Sequence, residues 1–158
     1  MDPNTTIKKN LSRRAPLVNE NVRFFKKIPL PTWIELSLID VCNRKCSFCP
    51  KADLDQAPDT YMSMSKSLID KLCIELEEIG FAGSIALCGY GEPLLHKDII
   101  YIAEKLSKVS SVEIVTNGDV LNVKMMKKLY SAKVSRLLIS LYDGEHQIKK
   151  IKKIAKEA

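Results

Sequence analysis

The sequence lacks the features that mark secreted and membrane-spanning proteins. No stretch approaches the ~18 consecutive apolar residues that a membrane-spanning helix requires, and residues 1–30 contain no apolar segment of signal-peptide length. The five cysteines are odd in number and three of them are clustered, unlike the even, dispersed cysteines of a disulfide framework. We therefore expect a cytoplasmic protein without a membrane partner.

Aromatic residues are also scarce. They make up 6% of the chain, whereas hydrophobic residues make up 46%. This balance favours a core of aliphatic side chains on packed helices and strands over a β-sandwich. A chain of 158 residues can bury such a core without disulfides, and its length predicts one domain.

Acidic residues are rare only at the N-terminal end. Residues 1–32 carry seven Lys and Arg against Asp2 and Glu20, so they hold five of the six net positive charges. We interpret residues 1–32 as a basic, proline-containing N-terminal extension and residues 33–158 as the folded domain. The extension is either a solvated leader or a contact for an acidic partner. Its basic residues are not interleaved with aromatic ones, so nucleic acid is not a predicted partner.

Four apolar stretches of strand length alternate with four amphipathic patterns of helical period. The strands are predicted over residues 33–39, 84–88, 112–116 and 136–142, and the helices over 67–80, 98–109, 122–132 and 145–158. Repeated alternation of this kind predicts an α/β fold with a parallel sheet and right-handed crossovers.

The helical period also predicts which side chains face the core. The inward sets are Leu68, Ile69, Leu72, Cys73, Leu76 and Ile79; Ile99, Ile102, Ala103 and Leu106; Val123, Met126, Leu129 and Tyr130; and Ile148, Ile151, Ile154, Ala155 and Ala158. Ser65 or Ser67 and Asp98 are the predicted N-caps of the first two helices, and Gly80 suits the end of the first. His96, alone near a helix start, is expected at the surface.

Each strand is followed by a loop of unusual composition. The cysteine-rich stretch "VCNRKCSFCP" follows the first strand, "GYGEP" the second, "TNG" the third, and "SLYDG" ends the fourth. Parallel α/β folds carry their chemistry at the carboxyl ends of the strands. We therefore expect these four loops to form one site.

The cysteine loop offers three ligands of metal-binding type, Cys42, Cys46 and Cys49. A structural zinc site needs four protein ligands, and His96, His146 and Cys73 are poor candidates for the fourth. An iron–sulfur cubane normally takes four cysteines, so three would leave one iron open to another ligand. A zinc-stabilised structural domain and a cluster with an open iron both remain possible at this point.

The spacing Cys-x3-Cys-x2-Cys, with Phe48 before the last cysteine, resembles the motif of the radical S-adenosylmethionine superfamily. "GYGEP" is similar to the Gly-Gly-Glu-Pro motif of that family, and "ISLYDG" to the "SLDG" of members that modify peptides or sugars. The resemblance extends over about residues 33–144.

This resemblance implies a cofactor pair and a reaction. Cys42, Cys46 and Cys49 would bind a [4Fe–4S] cluster whose fourth iron chelates S-adenosylmethionine. An external one-electron donor, of the flavodoxin or ferredoxin type, would supply the electron that cleaves S-adenosylmethionine into methionine and a 5′-deoxyadenosyl radical. The radical would abstract hydrogen from a peptide or carbohydrate-like substrate.

The resemblance also implies roles in the loop after the second strand. Glu92 would accept the ammonium of the methionine moiety through a charge-assisted hydrogen bond, and Gly89 and Gly91 would let the backbone approach a ligand closely. Pro93 would stiffen the turn, and Tyr90 replaces the first glycine of the family motif. The alternative for Glu92 is that it caps a helix N-terminus.

Three further residues receive cofactor-binding roles by resemblance. Phe48 would pack near the adenine, Ser140 would meet the ribose or carboxylate, and Asn117 would be another polar contact. The alternatives are that Ser140 is an ordinary strand residue and that Asn117-Gly118 forms a plain turn.

The family core resembles a partial barrel of six βα units, whereas this sequence contains four. We therefore predict a parallel (βα)4 partial TIM-type barrel. The missing strands leave an edge that proteins usually cover, so we expect a natural short form, a truncated chain, or completion by self-association or a partner subunit. A cluster- and S-adenosylmethionine-binding module without catalysis is a second functional hypothesis.

Overall fold

The computed structural model describes residues 22–158 and contains six strands and four α-helices in that range. The elements are β1 (Phe24–Phe25), β2 (Ile28–Pro29), β3 (Trp33–Leu36), α1 (Lys66–Glu78), β4 (Ser84–Leu87), α2 (Ile99–Val109), β5 (Ser111–Thr116), α3 (Val123–Ser131), β6 (Arg136–Ile139) and α4 (Glu145–Glu157). Short 3₁₀ turns cover Pro50–Ala52 and Pro93–Leu95.

Strands β3 to β6 form one parallel sheet in the order in which they occur along the chain. A helix follows each strand, so the predicted α/β fold of four βα units is confirmed. The register aligns Leu36, Leu87, Ile114 and Leu137 in one row across the sheet. All four belong to, or pack against, the hydrophobic core that also contains side chains of α1 and α2.

The core is aliphatic, as predicted, but several side chains that were predicted to face inward are exposed. Leu68 is 47% exposed and Tyr130 is 85% exposed, because the buried stripes of their helices centre on Ile69 and on Leu129. Neighbouring residues are rotated by about 100° around a helix. Leu68 and Tyr130, each adjacent to a buried residue, therefore point towards solvent.

Two further predictions are wrong, one at the C-terminal end of α4 and one just before α2. Ala155 and Ala158 are exposed, because they lie at the C-terminal end of α4, where Ile154 is the last buried side chain. His96 is buried rather than on the surface: its Nε2 lies 3.0 Å from the Met64 carbonyl, and its Nδ1 accepts the Asp98 N–H at 3.1 Å. The ring therefore connects the start of α2 to the segment before α1.

The helix termini follow the predicted caps in most cases. Ser65 is the N-cap of α1 and its hydroxyl accepts the Leu68 N–H at 3.2 Å. Asp98 occupies the N-cap position of α2 without a side-chain cap bond, and its carboxylate pairs with Lys66 at 3.1 Å instead. Gly80 has φ +65 just beyond α1, a left-handed conformation that glycine adopts without strain.

The chain leaves β3 earlier than predicted. Ile39 forms an isolated antiparallel bridge with Ser63, and Met64 donates its N–H to the Leu38 carbonyl at 2.9 Å. Residues 63–64 therefore pair with residues 38–39, which continue from β3 towards the cysteine loop.

The antiparallel pair of β1 and β2 lies within the segment predicted to be an N-terminal extension. Arg23 Nη1 donates to the Gly80 carbonyl at 3.3 Å, so this hairpin contacts the loop after α1. Residues 1–21, which carry most of the predicted extension, lie outside the described residues, and the boundary after residue 32 stays a prediction. Within residues 22–158, no helix is long and apolar enough to cross a membrane.

Candidate functional site

The loops that follow β3, β4, β5 and β6 meet around one pocket of about 160 Å³. Its lining residues are Cys42, Arg44, Cys46, Phe48, Cys49, Gly89, Tyr90, Gly91, Glu92, Val115, Thr116, Asn117, Ser140 and Tyr142. All the site residues predicted from the sequence are among them except Pro93, which is buried at the start of the second 3₁₀ turn. The expected convergence of the four loops is therefore present.

The three cysteines of the first loop are all half-buried, unpaired thiols on the pocket wall. Backbone bonds shape the loop: Cys49 donates its N–H to the Cys46 carbonyl at 2.9 Å, and Arg44 donates its N–H to Cys42 Sγ at 3.4 Å. Burial is the main cause that raises the pKa of the Cys42 thiol above its ordinary value.

The donor set fits a polynuclear cluster. Its three free thiols line one pocket. Thiolate sulfur is the ligand type of an iron–sulfur cubane, in which each cysteine binds a different iron. A structural zinc site would need a fourth protein ligand.

A buried lysine holds the segment that follows the cysteines. Lys51 is 3% exposed, and its Nζ donates to the Pro58 carbonyl and to Asp59 Oδ1, each at 2.9 Å. Lys45, from within the cysteine loop, binds the other oxygen of Asp59 at 3.1 Å. The hydrogen bonds from Lys51 and Lys45 lower the pKa of Asp59. The cysteine loop is thus tied to residues 58–59 on its outer side.

Two glycines of the β4 loop pack directly against the chain that enters the cysteine loop. A Cβ at Gly91 would lie 1.8 Å from the Ile39 carbonyl oxygen. A Cβ at Gly89, where φ is +132, would lie 2.4 Å from Ser37 Oγ. These positions require glycine because of the protein's own packing, and their approach to a ligand stays a prediction.

Glu92 forms a buried junction between the β4 and β5 loops. It is 3% exposed, and its Oε1 accepts the Thr116 hydroxyl at 2.6 Å and the Leu94 N–H at 3.0 Å. Its Oε2 accepts the Asn117 N–H at 2.9 Å. The capping role considered from the sequence is therefore present at the second 3₁₀ turn. A carboxylate has about four acceptor positions, so the predicted contact with an ammonium group stays compatible with these bonds.

Asn117 connects the β5 loop to the cysteine loop. Its Nδ2 donates to Asn43 Oδ1 at 2.9 Å and lies 4.0 Å from Cys42 Sγ. Its Oδ1 accepts the Asp119 N–H at 2.9 Å, which is the local hydrogen bond of an Asx turn, and Gly118 has φ +75 in that turn. The residue thus forms a turn and also lines the pocket.

Gln147 supports two loops of the site, a role that the sequence interpretation missed. This buried side chain of α4 donates from Nε2 to the Asn117 and Ser140 carbonyls at 2.9 and 3.2 Å. Its Oε1 accepts the backbone N–H groups of Tyr142 and Asp143 at 2.8 and 3.1 Å. A signal for it existed: Gln147 lies four residues before Ile151, at helical spacing from the inward stripe, where a polar side chain needs a partner.

Arg44 was also missed. It projects from the cysteine loop to the loops after β5 and β6, where it binds Asp119 and Asp143. The hydrogen bonds to these two carboxylates are the main causes that raise the pKa of Arg44, and the same bonds lower the pKa of each aspartate. No sequence pattern connects these residues in advance.

Aromatic side chains form the outer wall of the pocket. The rings of Phe48 and Tyr142 have centroids 5.7 Å apart and are tilted by 47°. Phe48 and Tyr90 remain 73% and 63% exposed, so a ligand in the pocket would find apolar area still available. Ser140, at the end of β6, donates its backbone N–H to the Thr116 carbonyl at 2.8 Å.

Two groups of known proteins resemble this chain in sequence. The S-adenosyl-L-methionine-dependent 2-deoxy-scyllo-inosamine dehydrogenase of Niallia circulans is 29% identical over 114 residues, which are 70% of this chain and 45% of that protein. The GTP 3′,8-cyclase of Limosilactobacillus fermentum is 34% identical over 116 residues, which are 71% of this chain and 34% of that protein. The chain thus spans less than half the length of these relatives.

The fold resembles solved structures of BtrN. The crystal structure of BtrN in complex with AdoMet and 2-DOIA has a TM-score of 0.66 and 26% identity, and the match covers 79% of this chain and 49% of that one. The structure of selenomethionine BtrN in an open conformation has a TM-score of 0.63 and 28% identity, with coverage of 76% and 54%.

A family model supplies the final comparison. The model described as the radical SAM superfamily matches residues 36–157, a range that contains the cysteine loop, all four α-helices and every residue of the pocket. The chain belongs to the radical SAM superfamily.

Proposed function

We propose that this chain binds a [4Fe–4S] cluster through Cys42, Cys46 and Cys49 and holds S-adenosylmethionine in the adjoining pocket. The observation that carries the proposal is that three free thiols and the loops after four parallel strands enclose one pocket. When bound and reduced, such a cluster supplies one electron that splits S-adenosylmethionine into methionine and a 5′-deoxyadenosyl radical, which abstracts hydrogen from the substrate.

The residues of the chain orient and shield these groups. Gly91 and Glu92 line the same pocket as the cysteines, where backbone and carboxylate acceptors suit the ammonium of a methionine moiety. Phe48 offers an exposed ring for the adenine. Ser140 and Asn117 line the same pocket and supply polar groups for the ribose or carboxylate.

For the substrate we propose a small, carbohydrate-like molecule. The support is the likeness to a dehydrogenase named for 2-deoxy-scyllo-inosamine and to BtrN solved with 2-DOIA. The sequence "SLYDG" is equally compatible with a peptide substrate, so both classes belong in a substrate screen. The electron would come from an external donor of the flavodoxin or ferredoxin type.

The chain spans about half the length of BtrN and less than half the length of its other relatives. We therefore propose that further chain, a partner subunit or a second copy completes the substrate side of the site. Sedimentation of the reconstituted chain tests the last of these: a dimer supports completion by a second copy, and a monomer contradicts it.

The proposed function is tested by anaerobic reconstitution with iron and sulfide, followed by dithionite and S-adenosylmethionine. We expect about four irons per chain and formation of 5′-deoxyadenosine and methionine. Cys46→Ser should lose both cluster and product, because one of three ligands is gone. Cys73→Ala, which removes a buried thiol of α1 away from the pocket, is the matched control and should retain both.

Two other results would favour the alternatives. Tight binding of S-adenosylmethionine by the loaded chain without 5′-deoxyadenosine would favour a binding module. Zinc without iron in anaerobically purified protein would favour a structural zinc domain and would contradict the proposal.

A further inference from the structure

Arg44 lies midway between Cys42 and Cys46 in the sequence. Its guanidinium leaves the cysteine loop and binds Asp119 in the loop after β5 and Asp143 in the loop after β6. The partners are 75 and 99 positions away in sequence. We call Arg44, Asp119 and Asp143 together the Arg44 clamp.

The Arg44 clamp contains four side-chain hydrogen bonds. Arg44 Nε and Nη2 donate to the two oxygens of Asp119, each at 2.6 Å, which is a bidentate pairing. Nη1 donates to Asp143 Oδ1 at 2.9 Å and Nη2 donates to Asp143 Oδ2. A lysine could not reproduce this geometry, because its single ammonium lacks the planar fork.

Other bonds hold the two aspartates in place. Asn43 Nδ2 donates to Asp119 Oδ2 at 3.0 Å, and Lys150 Nζ donates to the Asp119 carbonyl at 2.8 Å. The backbone N–H of Asp143 is bound by Gln147. The backbones of both aspartates are therefore held by bonds that do not involve Arg44.

Arg44 also borders a second cavity beside the pocket. Arg44, Cys46, Phe48 and Tyr142 line both the pocket and an outer cavity of about 350 Å³. The guanidinium carbon lies 5.4 Å from the centroid of the Tyr142 ring, which packs on Phe48. Arg44 thus packs on an aromatic pair that borders both cavities.

We infer that Arg44 is a positioning residue that holds the segment from Cys42 to Cys46 against the ends of β5 and β6. The inference rests on the proposed function only in taking these cysteines as cluster ligands. The clamp joins groups of the protein alone, so its effect exists before any cluster is bound.

The test measures thiol labelling of the reduced, iron-free chain, with each cysteine followed separately by peptide mass spectrometry. Labelling of a protected thiol reports how often its segment opens. Arg44→Met should speed labelling of Cys42 and Cys46 about tenfold, the factor that corresponds to one lost charge-assisted hydrogen bond. Loss of the nearby cation would by itself make these thiols less reactive, so acceleration cannot arise from that effect.

Matched variants separate the effect of the Arg44 clamp from the loss of a positive charge. Lys45→Met removes the neighbouring cation, which pairs with Asp59 on the other side of the loop, and should change labelling of Cys42 less than twofold. Arg44→Lys should fall between the wild type and Arg44→Met. Asp143→Asn should accelerate labelling less than Arg44→Met, because Asp119 still holds the guanidinium.

Selectivity decides the outcome. Cys73, buried in α1, should label at the same rate in every variant. Equal acceleration at Cys73 would show general destabilisation and would overturn the inference, as would an unchanged rate at Cys42 and Cys46. The result is independent of catalysis, so failure of the proposed function would leave this measurement interpretable. In the reconstituted protein, Arg44→Met should also lose its cluster to an iron chelator faster than Lys45→Met.

Discussion

Two junctions hold the loops of the pocket together, and they differ in burial. Glu92 is 3% exposed, and two of the three hydrogen bonds that its carboxylate accepts join the β4 and β5 loops. The Arg44 clamp joins the cysteine loop to the β5 and β6 loops, and the side chains of Arg44, Asp119 and Asp143 are 18%, 31% and 38% exposed.

The difference in burial separates two tasks. Donors around a buried carboxylate cannot turn to water when it is lost, so the Glu92 junction should contribute mainly to global stability. The groups of the exposed clamp can be solvated when it opens, so its contribution to stability should be small. We expect its effect instead on how firmly the segment from Cys42 to Cys46 is held.

The largest effect that tests this comparison is expected for Glu92→Ala. The change leaves the Leu94 and Asn117 N–H groups and the Thr116 hydroxyl without their acceptor. We expect the free energy of unfolding to fall by about 3 kcal/mol or more, measured by denaturant titration of the iron-free chain. Glu75→Gln, which removes an exposed charge from α1, is the control and should change it by less than about 0.5 kcal/mol. Equal effects of the two variants would remove the distinction between the junctions.

Gln147→Ala should have an intermediate effect. It leaves two carbonyls and two N–H groups at the ends of β5 and β6 without their amide partner. Some of these groups are reachable by water, so we expect a loss of about 2 kcal/mol in the free energy of unfolding. Gln56→Ala, which removes an exposed amide bonded to Asp53, is the matched control. A loss no larger than that of the control would show that the β6 loop does not depend on α4.

The pH dependence of the clamp should give the smallest effect. Its two aspartates have pKa values held below 3.8 by the hydrogen bonds from Arg44. A lowered folded-state pKa stabilises the fold at pH values above the unfolded pKa, and this stability is lost as the pH falls through the folded value. The melting temperatures of wild type and Arg44→Met should therefore differ slightly at pH 6 and converge below about pH 3.8. A difference that grows towards acid would contradict the assigned ion pairs.

Much of the fold could be predicted because it depends on local patterns. The apolar runs and helical periods located β3 to β6 and all four α-helices, and parallel topology then placed their loops at one edge. The two-residue strands β1 and β2 carry no such periodicity, and the exposure of Leu68 and Tyr130 depends on small rotations of their helices.

The site divides in the same way. The cysteine spacing and the "GYGEP" stretch are local signals, so they were visible in the sequence. The bonds of Arg44, and the bond from Gln147 to the Asn117 carbonyl, join residues from different βα units, up to 99 positions apart, and no local pattern encodes such pairing. Glu92 lies between these cases: its position was predicted, but its three internal bonds required the packed structure.

The central claim is that three cysteines hold a cluster with one iron open to S-adenosylmethionine. The most direct measurement is the electron paramagnetic resonance spectrum of the reconstituted, dithionite-reduced chain before and after addition of S-adenosylmethionine. We predict the signal of a reduced [4Fe–4S] cluster whose g-values shift when S-adenosylmethionine is added. Absence of that signal, or a signal that does not change on addition, would contradict the account.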